Sequence, residues 1–402
     1  MPTVPLLDLD AQNTPLRDEL RAAFDRVLAS GRYILGPEVE AFESAIAEMA
    51  GARHGIGVSS GTDALLLALM ALEIGPGDEV ICPDFTFFAT AGCVARVGAT
   101  PVFADVRPDD FNLDVADAAR RITPRTRAII PVHLYGQVAD MNPILELARE
   151  HGIRVIEDAA QSLGARYHGR PCGGIGDFGA FSFYPTKNLG GFGDSGMLVC
   201  NDDALAARAR ILRNHGDSPK YHHKHVGGNF RMDPVQAALL AVKLPHYDRY
   251  TQARQEHAAY YTEELGGRKA EGGGAVPDAD SSLSCPLAPE PSNSHIWNQY
   301  TIRASSRRSD GSARDRLKQF LAERGIATEI YYPVPLHRQE CFARYLPAGG
   351  WQPADPVPDY PHGVSTHLAN EALSLPVYPE LTREQLDHVI ASIQEWGRSR
   401  GA

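Results

Sequence analysis

The sequence predicts an α/β protein in which helices cover both faces of a mostly parallel sheet. Two observations predict it. Through residues 1–250, short apolar runs alternate with longer stretches of helical character. The runs are apolar throughout rather than at every second position. That is the pattern of strands buried on both faces, as helical crossovers between parallel strands bury them. A chain of 402 residues can bury a large core, and two domains are expected, at 1–245 and 246–402.

The elements follow in order. Leu16–Leu28 and Pro37–Ala50 read as amphipathic helices, and Gly55–Ser59 as a short strand running into an apolar helix over Thr62–Leu72. Val80–Cys82 is a strand, Thr86–Val97 a helix, and Pro101–Ala104 and Ala128–Val132 are strands separated by a helical stretch at Asp114–Arg121. Asn142–His151 is helical, and Val155-Ile156-Glu157-Asp158 is an apolar strand that ends on carboxylates. A further strand leads out through Phe181-Ser182-Phe183-Tyr184 into a loop carrying Lys187. Gly196–Cys200 is a strand and Asp203–Arg213 a helix, followed by a Gly-, His- and Lys-rich loop over Asn214–Asn229. A long helix begins at Asp233-Pro234, with Asp as cap and Pro in the first helical position, and runs to about Tyr250. Gly266–Pro291 reads as a loop excursion. Gln299–Ile302 and Thr328–Tyr331 are strands, Ala313–Arg324 is a helix, Arg338–Leu368 is Pro-rich and irregular, and Thr382 caps a final helix over Arg383–Trp396. No internal repeat is present.

Composition excludes several classes of function. A net charge of −11 offers no general positive field to a nucleic acid or an anionic membrane. No apolar run approaches the ~18–20 residues that span a bilayer. Met1-Pro2-Thr3-Val4-Pro5 lacks a basic region followed by an apolar one, so no secretory signal is expected. Six cysteines are scattered without C-x-x-C spacing, which reads as reduced thiols in a cytoplasmic protein. His222, His223 and His225 cluster without a positioned carboxylate or cysteine; they read as part of a basic loop, and no metal is expected.

The chemistry lies at the strand ends. Ligands of parallel sheets sit outside the carboxyl ends of the strands. A Lys187 amine and an Asp158 carboxylate at neighbouring strand ends are what pyridoxal phosphate requires: the amine forms an imine with the aldehyde, and the carboxylate keeps the pyridine nitrogen protonated so that the ring withdraws electrons. Gln161, one helical turn past Asp158, is placed to hydrogen-bond the phenolic oxygen of the ring. Ser59-Ser60-Gly61-Thr62 joins a strand to a helix, and backbone N–H groups at a helix start bind anions. Ser182 adds a hydroxyl for the phosphate, and Phe87 at another strand-to-helix turn is placed to stack on the ring. Singly, each feature has a plainer explanation: a solvated loop lysine, a turn aspartate, an N-cap, a core phenylalanine. Their occurrence together, in this order on one scaffold, points to the cofactor.

These residues carry a resemblance. Ser60-Gly61-Thr62-Asp63-Ala64-Leu65, Pro131-Val132-His133-Leu134-Tyr135-Gly136, Glu157-Asp158-Ala159-Ala160-Gln161, Ser182-Phe183-Tyr184-Pro185-Thr186-Lys187-Asn188 and Asn229-Phe230-Arg231-Met232 look like signatures of the DegT/DnrJ/EryC1/StrS sugar aminotransferases. The resemblance runs from Ile34-Leu35-Gly36-Pro37 to the final helix. It implies the fold-type I architecture of the aspartate aminotransferase superfamily: a large domain with a mostly parallel seven-stranded sheet between helices, and a smaller α+β C-terminal domain. It implies that Lys187 carries pyridoxal 5'-phosphate, that Asp158 contacts the pyridine nitrogen and Gln161 the ring hydroxyl, that Gly61, Thr62 and Ser182 bind phosphate, and that Phe87 stacks. Asn229 would reach the cofactor phosphate of the other subunit of a homodimer, making the active sites shared. The implied reaction passes an amino group from L-glutamate to a keto group of a nucleotide-linked sugar. Tyr331-Tyr332-Pro333-Val334-Pro335-Leu336-His337 is similar to the segment of members that aminate a 3-keto sugar, so C3 is favoured over C4, with Tyr332 and His337 as candidate substrate contacts. Two other outcomes are a non-catalytic regulator and a sugar dehydratase, although dehydratase relatives carry His where Lys187 stands.

Overall fold

The structure, a computed structural model, describes residues 2–266, 281–286, 292–306, 312–347, 350, 352 and 363–398. Seven strands form one sheet: β1 (His54–Val58), β2 (Glu79–Pro83), β3 (Thr100–Ala104), β4 (Thr126–Ile129), β5 (Arg154–Asp158), β6 (Phe178–Ser182) and β7 (Gly196–Cys200). Their order is β1-β7-β6-β5-β4-β2-β3. From β6 to β3 every neighbouring pair is parallel. β7 runs against both β6 and β1. Two reversals restore direction, so the carboxyl ends of β1, β5 and β6 emerge on the same side. This is the predicted mostly parallel, seven-stranded sheet.

The continuous apolar runs are explained by the two cores they serve. Successive strand residues face opposite sides of a sheet. Val155 and Met197 enter one buried cluster with Phe42, Ile46 and Phe183, while Ile156 and Leu198 enter another with Leu65, Leu69 and Val94. A second sheet, β8 (Ser281–Ser284), β9 (Tyr300–Ser306) and β10 (Ala372–Leu375), is antiparallel and ordered β8-β9-β10. It shares a third cluster with the helices at 247–266, 312–322 and 383–398. Val4 joins this cluster and bridges Ile326, so the start of the chain packs with its C-terminal part.

Several expectations need correction. The helix expected from Thr86 begins at Ala89, leaving Thr86–Phe88 in the turn. The helix from Pro234 does not end near Tyr250. Pro245 has no N–H to continue the ladder, the chain tightens into a 3-10 turn over Leu244–His246, and the helix resumes from Tyr247 to Gly266. Asp233 occupies the cap position without making a side-chain cap bond. Thr382 does cap: its Oγ1 accepts from Gln385 N, and Gln385 Oε1 accepts from Thr382 N in return. Thr328–Tyr331 is not a strand. Glu329 bridges Ser374, but the Ile330 N–H is taken by the Glu329 carboxylate, which ends the pairing. The stretch expected to be irregular over Arg338–Leu368 contains a 3-10 turn at Glu340–Tyr345 and the start of a helix at Val364–Glu371; residues 348–349, 351 and 353–362 lie outside the described residues. Of the expected loop Gly266–Pro291, residues 267–280 and 287–291 also lie outside them, while 281–284 form β8.

Glycine is required where backbones nearly touch. A Cβ on Gly179 of β6 would lie 2.2 Å from the Gly173 carbonyl oxygen. Gly179→Ala is therefore expected to lose about 1–3 kcal/mol of stability, as overpacked cores do, measured by denaturant unfolding. Unchanged stability would show that this contact can relax.

Candidate active site

The β1-to-helix junction is the first part of the site. Ser60 is the N-cap of the Gly61–Ala71 helix, and its Oγ accepts from Asp63 N at 3.0 Å. Ser59 Oγ donates to Asp63 Oδ2 at 2.6 Å. The free N–H groups of this helix start and the helix dipole make an anion-binding end. A Cβ on Gly61 would stand 2.7 Å from Ser182 Cβ. Gly61 thus lets the end of β6 approach the helix start, bringing together two segments far apart in sequence.

Asp158 ends β5 and is buried. Its Oδ2 accepts from Thr90 Oγ1 at 2.8 Å, and its Oδ1 from Ala160 N at 3.3 Å. Burial pushes its carboxyl pKa up; the Thr90 and Ala160 hydrogen bonds and the charge of Lys187 oppose the rise. Lys187 sits in a turn in which its N–H bonds the Tyr184 carbonyl at 2.8 Å. Burial lowers its amine to about 8, with the Asp158 charge acting in the other direction. Gln161 is held at one end only by backbone: its Oε1 accepts from Tyr135 N at 2.7 Å, which leaves Nε2 as the donor, here to Tyr332 Oη at 3.1 Å. Behind these groups, Glu157 is fully buried and accepts from Gly173, Ile175 and Gly176 N. His133 Nδ1 accepts from Ala139 N, so its Nε2 carries the proton and donates to Glu157 at 2.9 Å.

One cavity of about 500 Å3 is lined by Ser60, Gly61, Thr62, Phe87, Asp158, Gln161, Ser182, Lys187 and Tyr332. Its size falls within the roughly 300–1,000 Å3 of small-molecule sites. Phe87 is half exposed, and its ring centroid lies 6.0 Å from that of Tyr332. Two expected site residues do not line this cavity, one of them, Asn229, being expected to serve the other subunit's site. Asn229 is exposed on the loop that bridges back to Asn214, outside this cavity. His337 does not line the cavity: its backbone N and Nδ1 both bind the buried Asp84 carboxylate, at 2.8 and 2.6 Å, which anchors the segment instead. Among the described residues no group of three or more His, Cys, Asp or Glu could hold a metal ion.

The DegT/DnrJ/EryC1/StrS aminotransferase family model matches residues 15–394. The chain belongs to this family. It is 47% identical over 395 residues to a "pleiotropic regulatory protein" of Geobacillus stearothermophilus, covering 98% of this chain and 99% of that one. It is 45% identical over 391 residues to the UDP-N-acetyl-3-dehydro-alpha-D-glucosamine 3-aminotransferase of Acidithiobacillus ferrooxidans, covering 97% of each. Its structure superimposes on that of S. venezuelae DesV in complex with a ketimine intermediate with a TM-score of 0.87, at 43% identity and 99% coverage of both chains.

The structure adds residues that the sequence reading of this aminotransferase passed over. Thr86, Tyr184, Thr186, Asp194, Gln299 and Tyr331 also line the cavity, and Thr90 supports Asp158 from behind. The one available signal was Thr90, a hydroxyl one turn past Phe87 at the start of a largely apolar helix.

The electrostatics predict a measurable titration. In protein stripped of small molecules, Lys187 should be acetylated with a midpoint near pH 8, well below the ~10.4 of an ordinary lysine. Asp158→Asn should lower the midpoint further, because the charge that favours the ammonium is gone. Peptide mass spectrometry across pH reads both; a midpoint at the ordinary value would contradict the burial described here.

Proposed function

We propose that this aminotransferase uses pyridoxal phosphate to move an amino group from L-glutamate to the C3 keto group of a nucleotide-linked sugar, in amino-sugar biosynthesis. The observation that carries the reading is the convergence of Lys187, Asp158, the Ser60–Thr62 helix start and Ser182 on one cavity. The residues fit the cofactor at each of its ends. Gly61 and Thr62 would bind its phosphate through the helix start, with the Ser182 hydroxyl beside them, and Phe87 would cover the ring. When bound, the cofactor supplies an aldehyde that takes up the amino group and a ring that spreads the charge developing at the substrate carbon.

The remaining chemistry belongs to the chain. Asp158 would hold a proton on the pyridine nitrogen, with Thr90 and Ala160 stabilising its charged form. Gln161 would donate through Nε2 to the phenolic oxygen. Lys187 would be the residue that holds the cofactor, and its amine, lowered to about 8 by burial, would be the group that moves the proton at the substrate α-carbon. C3 is supported by the name of the Acidithiobacillus relative. A homodimer with shared sites is supported by the outward position of Asn229 and by the exposed Phe24, Tyr33, Ile34 and Phe192. The division at 1–245 and 246–402 is supported by the cluster of the second sheet, which draws all its buried residues except Val4 from beyond residue 246. A cytoplasmic location is supported by four buried thiols whose pKa burial raises, Cys82, Cys93, Cys172 and Cys200.

The test is spectroscopic. The purified protein is expected to absorb in the visible, to lose that band on borohydride reduction, and to lose it reversibly with L-glutamate; a 3-keto nucleotide sugar should restore it. The name of the Geobacillus relative favours one other reading, a regulator, and a colourless protein indifferent to L-glutamate would support that instead. Lys187→Ala should keep the fold and lose at least ~10²–10⁴-fold in turnover; full activity would contradict the assignment. Asn229→Ala should weaken cofactor affinity about tenfold, as loss of a hydrogen bond to a charged group does. Unchanged affinity would remove the shared site.

A further inference from the structure

Tyr135 touches three parts of the cavity wall without lining the cavity. It follows Val132 and His133, which pair with Asp158 at the end of β5. Its backbone is left-handed, at φ 60 and ψ 4. A bulky residue there is a genuine outlier, sustained only where its surroundings hold it. Those surroundings are specific. The Tyr135 N–H donates to Gln161 Oε1 at 2.7 Å. Its carbonyl accepts from Asn298 N at 2.9 Å and Gln299 N at 3.3 Å. Its phenol donates to the Tyr331 carbonyl, and the Thr301 hydroxyl of β9 also faces it. Its ring meets Phe111 edge-on at 5.4 Å within a buried cluster that Tyr331 and Tyr332 pack against. Burial pushes the phenol pKa far up, so it stays a donor at working pH.

We infer that Tyr135 is a positioning residue that fixes the Tyr331–Tyr332 wall, and with it the sugar-nucleotide side of the cavity, against Gln161 on the cofactor side. The two functions of the residue are separable. Its backbone N–H sets which end of the Gln161 amide faces the cavity. Its hydroxyl holds the C-terminal segment that carries Tyr332, whose own hydroxyl meets Gln161 Nε2. The inference rests on the aminotransferase reading above.

Tyr135→Phe separates the two. It keeps the ring, the packing and the N–H to Gln161, and removes only the hydroxyl with its contacts to Tyr331 and Thr301. The expected result is an unchanged visible spectrum and an unchanged L-glutamate half-reaction, with the KM for the keto sugar nucleotide raised about fivefold at little-altered kcat, the size of one net hydrogen bond spent on uniform binding. Tyr332→Phe, which cuts the same wall from Gln161, should raise the same KM and carries the test if Tyr135→Phe does not fold. In the double variant the two rises should fall short of their product, because both loosen one element. Unchanged acceptor KM in either variant, equal slowing of both half-reactions, or fully multiplicative effects would overturn the inference. A wild-type protein without visible absorption would instead overturn the aminotransferase reading, so the two failures are distinguishable.

Discussion

The site depends on two ionisable groups held together where neither is well solvated. Burial disfavours the ammonium of Lys187 and the carboxylate of Asp158. Each charge partly offsets the penalty on the other, and Thr90 and the Ala160 N–H add hydrogen bonds to the carboxylate alone. The balance leaves a lysine whose amine is lowered to about 8 and an aspartate whose charged form is supported by hydrogen bonds against the cost of burial. A Lys-tethered, N-protonated pyridine ring demands an amine that gives up its proton more readily than a solvated lysine with a pKa near ~10.4, and a carboxylate that stays charged although burial opposes it.

The scaffold sets this pair up by direction and by close approach. Because β7 reverses twice, β1, β5 and β6 release their ends on one side, delivering Ser60, Asp158 and Ser182 to the same place. Gly61 lets the β1 and β6 ends nearly touch. The wall opposite comes from the C-terminal part of the chain through Tyr331 and Tyr332, and a buried Tyr135 with a left-handed backbone bonds to both sides. The buried His133–Glu157 pair lies directly behind, where Glu157 collects three backbone N–H groups from the 173–176 turn. Rigid packing of this kind is what keeps a catalytic pair within productive reach.

Much of this was legible in the sequence because it is local. An apolar run ending on Asp158, another leading out through Ser182, and a Ser-Gly-Thr start to an apolar helix are short-range patterns, and the structure has a strand ending at Asp158, one ending at Ser182 and a helix from Gly61. What was not legible is mostly long-range. Nothing near Thr90 announces Asp158, and nothing near Tyr331 announces Tyr135; these contacts exist only after the sheets assemble. His337 looked like a cavity residue because its neighbours Tyr331 and Tyr332 are, but the buried carboxylate of Asp84 turns it away. The strand Ala372–Leu375 was hidden behind a Pro-rich stretch, and the apparent strand at Thr328–Tyr331 fails for a reason one residue wide, the Glu329 carboxylate on the Ile330 N–H.

A crystal structure of the protein grown with pyridoxal phosphate tests the central claim most directly. The account predicts continuous density from Lys187 Nζ into the ring, with a carboxylate oxygen of Asp158 at hydrogen-bond distance from the pyridine nitrogen. A ring bound away from this cavity, or one whose nitrogen faces neither oxygen of Asp158, would contradict it.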